Sequence, residues 1–228
     1  MKDRWTYVII AGLAAAALFL LGLYSFRDRQ NLDYAAHLDD AAVTVDGEDM
    51  TLSDMAFYVV YVERKVEESA MIYDDENTRA FWNIHTNQTF TQTAAKETVM
   101  DMAVHDRIFY RAALQENLVL SEEEAQALEE IKNDFWEDLL DVQRERLPVS
   151  YEVINETIKE IALTEKYQSL LAEKNEETYA AYGYDGYDYK EMLKEHEVKI
   201  HKSIWNRINV GNITLVHEIG RASCRERV

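Results

Sequence analysis

KETVMDMAVHDRIFYRAALQENLVLSEEE, residues Lys96 to Glu124, decides the fold. It reads as one helix, a short break at Asn117 to Leu120, and the start of a second helix. Val99, Met102, Ala103, Phe109 and Ala113 recur at helical spacing. Met100, Val104 and Ile108 widen that apolar face. Ser121 and Glu124 have the spacing of a capping box: the hydroxyl accepts from a free N–H of the first turn, and the carboxylate reaches back. The stretch predicts two helices in succession, and its neighbours extend them into a mostly α-helical domain.

Upstream, Leu52 to Tyr73 predicts a long helix with Met55, Tyr58, Val59, Val62 and Val66 on its stripe. Asp74-Asp75-Glu76-Asn77 stops it. Thr78 to Thr93 reads as an ordered connection containing a short helical piece. Downstream, Ala125, Leu128, Ile131, Phe135, Leu139 and Val142 fall at steps of three and four, predicting one acidic helix from Glu122 to about Arg146. Pro148 ends it, because its ring disfavours helical geometry in the preceding residue. Tyr151 to about Lys174 reads as another helix, with Ile154, Ile158, Ile161 and Ala162 inward. Asn175 to Tyr189 is irregular, with tyrosines spaced around Gly183 and Gly186; Lys190 to Glu195 reads as a short helix.

Two segments alternate like strands. AVTVDGE, Ala42 to Glu48, sets Val43 and Val45 on one side and ends in an Asp46-Gly47 turn; Thr51-x-x-Asp54 then caps a helix. EVKIHK, Glu197 to Lys202, does the same with Val198 and Ile200. A lone strand cannot satisfy its own backbone groups, so Val198–Ile200 is expected to pair with Val43–Val45. The fold expected is mostly α, with a small two-stranded pairing between its N- and C-terminal segments.

The chain of 228 residues carries a formal net charge of −19. That charge repels nucleic-acid phosphates and an anionic membrane surface alike. WTYVIIAGLAAAALFLLGLY, Trp5 to Tyr24, has no charged residue. As a helix of that length it would span about 30 Å, the hydrocarbon thickness of a bilayer. The expectation is a cytoplasmic stub and uncleaved signal-anchor over 1–29, a tether over 30–41 and an extracytoplasmic domain over 42–217. This makes a single-pass cell-membrane protein with its N-terminus inside; a cleaved signal peptide is the rival reading. EIGRASCRERV, residues 218–228, has the sequence that a common short-read sequencing adapter encodes in frame, and it is set aside. It contains the chain's one cysteine, Cys224.

Val43, Val45, Asp46, Gly47, Glu48, Met50 and Thr51 form an opening that resembles the N-terminal chaperone region of SurA/PrsA-type foldases. Ala112, Ala113, Asn117, Leu118, Val119, Leu120, Ser121 and Glu122 to Glu124 resemble that region's helix end and acid-rich restart. Asn209 to Thr214 is similar to its closing segment. The likeness spans about Ala42 to Leu215. It implies a helical holdase whose partners are unfolded or partly folded exported polypeptides, held near a bilayer through Trp5–Tyr24, with a homodimer allowed. The family's parvulin prolyl-isomerase domain commonly follows the helix ending near Lys174. Here only the tyrosine-rich piece stands in that place, so isomerase activity is not carried over and no enzyme is expected.

No nucleotide-binding loop, G-x-S-x-G or H-E-x-x-H occurs, so no catalytic residue, cofactor or metal is expected. His196 and His201 are five apart, which fits neither one strand face nor one helix face. His105 reads as a packed or rim histidine. Candidates for a peptide groove are Phe57, Tyr61, Phe81, Trp82, Tyr182 and Tyr184, chosen as aromatic residues off the main stripes or in irregular segments. Two other functions remain open. One is a bitopic membrane protein with a dedicated envelope or secretion partner. The other is a truncated or degenerate prolyl isomerase.

Overall fold

The computed structural model describes residues 31–86 and 88–217. The expected span Trp5–Tyr24 and the 218–228 tail lie outside these residues. Among the described residues no helix is long and apolar enough to cross a membrane. The expected single-pass cell-membrane location is corrected on that finding. Even the most apolar long helix, Leu52–Tyr73, carries Glu63, Arg64, Lys65, Glu67 and Glu68 along its second half.

The architecture is mostly helical with a small antiparallel sheet. Strand β1 (Ala41–Val45) is central, flanked by β2 (Glu48–Thr51) and β5 (Val198–Ile200). The expected pairing is present: Val43 faces Ile200 and Val45 faces Val198 in an antiparallel register. The sheet has three strands, not two, because Asp46-Gly47 closes a hairpin. Both residues have positive φ, 49° and 84°, as a two-residue turn between twisted strands requires. Glu48–Thr51 shows almost no alternation because only Met50 points into the core.

Helix α1 (Leu52–Tyr73) starts at the expected capping box. Asp54 N–H donates to Thr51 Oγ1 at 3.3 Å and Thr51 N–H to Asp54 Oδ2 at 2.7 Å. Met55 to Val60 are all buried, so α1 is surrounded rather than packed along one stripe. Its neighbours are the sheet, α2 (Thr78–Trp82), α3 (Thr91–Gln115) and α6 (Tyr151–Lys174). Helix α3 ends as read: Asn117 takes φ 57°, and Leu118 N–H returns to Ala113 O at 2.9 Å, satisfying a carbonyl of the last turn. Ser121 and Glu124 then form both bonds of the capping box that opens α4 (Glu122–Asp138). Between α2 and α3, His85–Thr86 (β3) and Thr89–Phe90 (β4) form a small hairpin. Helix α7 (Tyr187–Met192) precedes β5, and α8 (Lys202–Trp205) follows it. Residues 31–40, expected as a tether, pack on this body. Leu32 N–H donates to Arg207 O at 2.9 Å, and the buried Tyr34 hydroxyl donates to Leu52 O at 2.6 Å.

The acidic helix does not run to Arg146. It is α4 (Glu122–Asp138), an extended pair Leu139-Leu140, and α5 (Asp141–Glu145). The break has a structural use. It turns the fully buried Gln143 inward, where its amide donates to Val60 O at 3.1 Å and to Thr214 Oγ1 at 2.9 Å. Thr214 in turn donates through N–H and hydroxyl to Glu63 Oε2. Gly211 and Ile213 N–H groups donate to Glu63 Oε1 at 2.6 and 3.0 Å. Burial raises the Glu63 carboxyl, and the Thr214, Ile213 and Gly211 donors pull the other way. Gly211, at φ 97°, lies against Trp82, whose ring atoms would come within 2.7 Å of an added Cβ.

Glu63→Gln places an amide N–H₂ against backbone donors. It is expected to lower unfolding free energy by about 3 kcal/mol in urea denaturation. Gly211→Ala combines left-handed strain with a clash on a buried ring and is expected to cost about 2 kcal/mol in the same measurement.

Candidate functional site

Phe57, Tyr61 and Arg64 lie at helical spacing on one face of α1 and look toward α4. Phe57 stacks near Tyr61, with ring centroids 5.9 Å apart, and meets Phe135 of α4 at 5.2 Å. The Arg64 guanidinium sits between the Tyr61 and Phe135 rings, 5.6 and 5.8 Å from their centroids. Its Nη1 lies 2.9 Å from Asp138, an ion pair without an aligned hydrogen bond.

These residues form one end of a trough of about 570 Å³. That lies within the range of about 300–1,000 Å³ usual for ligand sites. Its floor and sides take Leu128 and Ile131 from α4, Ile158, Ile161 and Ala162 from α6, and Met102 from α3. A second hollow of about 420 Å³ shares Leu128, Ile131, Ala162, Glu165 and Tyr179 with it. The trough therefore continues along the seam between α4 and α6. Ile131 is 48 % exposed and Tyr184 38 % exposed, so part of the apolar lining faces solvent.

The back wall is the segment from Tyr179 to Asp185. His105 of α3 fixes it: Nε2 donates to Tyr182 O at 2.8 Å, while Nδ1 lies 2.7 Å from Asp106. Gln168 of α6 adds a bond from its amide to Tyr179 O at 2.8 Å. His105 is buried and stacked on Phe109, which is the packed role read from its position. The rim is acidic, with Asp134 and Asp138 one turn apart on α4, Glu165 on α6, and Asp185 in the wall. Although Glu165 is an exposed residue, desolvation raises its carboxyl, and the nearby Asp106 charge adds to this. Desolvation also raises the Tyr184 hydroxyl, helped by Asp185.

Three of the six aromatic candidates, Phe57, Tyr61 and Tyr184, line the trough. The other three lie elsewhere. The Tyr182 ring is buried behind the wall, and its hydroxyl accepts from Asn175 Nδ2 at 2.8 Å. Trp82 is buried against Gly211 and donates to Glu67 at 2.7 Å; Glu67 also lies 3.1 Å from His217. Phe81 meets Tyr73 near the end of α1. Helical periodicity puts Ile131, Leu128 and Ile161 on inward stripes, and it does not tell a core neighbour from an open groove. Arg64 had no sequence signal.

A larger hollow, about 680 Å³, lies apart from this site, lined by Gln92, Lys96, Asp101 and Trp205 among others. Desolvation draws the Lys96 amine down to about 8, and it donates to Ile208 O at 2.8 Å. Met100, Ile200, Ile208 and Val210 share its lining with these polar groups. Among the described residues no group of histidine, cysteine and carboxylate side chains could hold a metal ion. Comparison with protein-family models, curated proteins and solved structures finds no match to the chain.

At the far end of the trough Lys166 donates to Glu124 at 2.6 Å and to Val119 O at 2.9 Å. Hydrogen bonding from Lys166, then from the Ser121 N–H, draws the Glu124 carboxyl from 4.5 down to about 2. A depressed carboxyl stabilises the fold above its ordinary value, and the contribution is lost as pH falls through the depressed one. NMR titration is therefore expected to place the Glu124 midpoint near 2, with amide exchange in the first turn of α4 rising as that pH is approached. A midpoint near 4.5 would contradict the bond.

Proposed function

We propose that the protein is a holdase-type binder of non-native polypeptide, taking extended segments into the trough and releasing them without covalent chemistry. The observation that carries this reading is the continuity of the apolar lining from Phe57 and Tyr61 past Ile131 to Leu120, along two hollows that share a wall. A long open seam suits a chain segment better than a compact small molecule. The likeness of the AVTVDGE opening and the Ala112–Glu124 turn to SurA/PrsA chaperone regions supports the same reading.

Apolar burial contributes on the order of 25 cal/mol per Å². Ordering a flexible client offsets much of that gain, so binding is weak, reversible and tolerant of sequence. Net negative charge keeps a loaded complex dispersed.

A dedicated protein partner is the second reading, and it draws on another surface. Ile72 is 89 % exposed and Tyr73 64 % exposed at the end of α1. This reading entails one tight complex and indifference to unfolded chains.

The test is aggregation of a chemically unfolded, proline-containing client with the full chain at equimolar amounts, and a prolyl-isomerase assay on the same sample. Suppression without isomerisation is expected. Ile131→Ser and Tyr184→Ser, at exposed positions, should each weaken client binding by about 1 kcal/mol with the fold retained by circular dichroism. Failure of the unsubstituted chain to suppress aggregation or bind unfolded chains would overturn the holdase reading.

A further inference from the structure

We propose that the trough selects segments whose apolar side chains are flanked by lysine or arginine, the cations meeting Asp134, Glu165 and Asp185. This rests on the trough being a polypeptide site.

The argument is one of unmatched charge beside an apolar floor. Several surface carboxylates pair with a lysine one turn away: Glu68 with Lys65, Glu129 with Lys132, Glu156 with Lys159 and Glu191 with Lys194. On the trough rim Asp138 is matched by Arg64, and Lys166 at the far end is taken by Glu124. Among the described residues no cation forms an ion pair with the carboxylates of Asp134, Glu165 or Asp185; the Lys190 amine reaches Asp185 at its backbone O, 2.7 Å away. They come from three separate segments and face one hollow. Three carboxylates beside one apolar, low-dielectric lining focus a negative potential there. A cation arriving on a client is attracted by that potential; a carboxylate is repelled by it.

Other occupants fit less well. Nucleic acid and anionic lipid carry the wrong charge. A bare metal ion would need convergent ligands, and no such group occurs among the described residues. A polypeptide carrying both apolar and cationic side chains meets the floor and the rim together.

The experiment uses the full chain and three dye-labelled peptides with one shared apolar core, flanked by two lysines, two serines or two glutamates. Fluorescence anisotropy is expected to rank affinity lysine over serine over glutamate. The outer pair should differ by about tenfold or more at low salt, and the gap should shrink when salt screens the rim. The triple variant Asp134→Asn, Glu165→Gln, Asp185→Asn should lose the ranking while keeping its affinity for the serine peptide. A control triple away from the trough, Glu122→Gln, Glu123→Gln, Glu130→Gln, removes the same charge and should keep the ranking. Three peptides bound equally would overturn the charge selection and leave the trough reading standing. Equal loss of ranking in both triples would also overturn it, assigning the effect to the protein's overall charge. No binding by any peptide would overturn both readings.

Discussion

A buried carboxylate holds the architecture together. Glu63 sits in the middle of α1 with no exposed surface, and its two oxygens accept from Gly211, Ile213 and Thr214. A charge in that position is tolerable only when its lone pairs are occupied, and here backbone donors occupy them. Thr214 passes the connection to Gln143, and so to the kink that separates α4 from α5. One side chain on α1 therefore sets the path of the last described segment and, through Gln143, the point at which α4 must end. With α4 anchored there, Phe135 is carried to Phe57 and one wall of the trough is placed.

The trough itself combines stiff walls with an uncovered floor. Its back wall is an irregular tyrosine-rich segment, yet His105 and Gln168 pin its backbone carbonyls to two long helices. Apolar side chains such as Ile131 are partly exposed because, among the described residues, no further element crosses the α4–α6 seam to cover them. A pinned wall limits how far the hollow can collapse on itself, so the apolar lining stays open.

Much of the fold was legible in the sequence. The Ser121–Glu124 and Thr51–Asp54 boxes and the Asn117 turn follow from local chemistry that uses one or two neighbouring residues, and the β1–β5 pairing, though distant in sequence, follows from two alternating segments that each need a partner. What could not be read depends on distant partners. The stripe through Leu139 and Val142 continues at helical spacing across the kink, because the reason for the kink is Thr214, far along the chain. Phe57 and Tyr61 share one face of α1, but the same spacing would have suited a closed core. Trp82 has the residue type of a ligand contact, but Gly211 and Glu67 stand beside it and occupy its ring and N–H. Type and spacing locate helix faces; what covers each face is a tertiary property.

The sheet has a consequence for how the molecule is made. Its central strand, residues 41–45, must wait for residues 198–200 before its second edge is paired, and Glu63 must wait longer still, for residues 211–214. A chain emerging from a ribosome presents α1 with its acid unsatisfied until residues 211–214 have been made. Closing so long a loop carries an entropic cost that local helix formation does not. The helices can form as they appear, but the contacts of Glu63 are completed only when residues 211–214 arrive. Until then the growing polypeptide is itself an incompletely folded chain with exposed apolar helix faces.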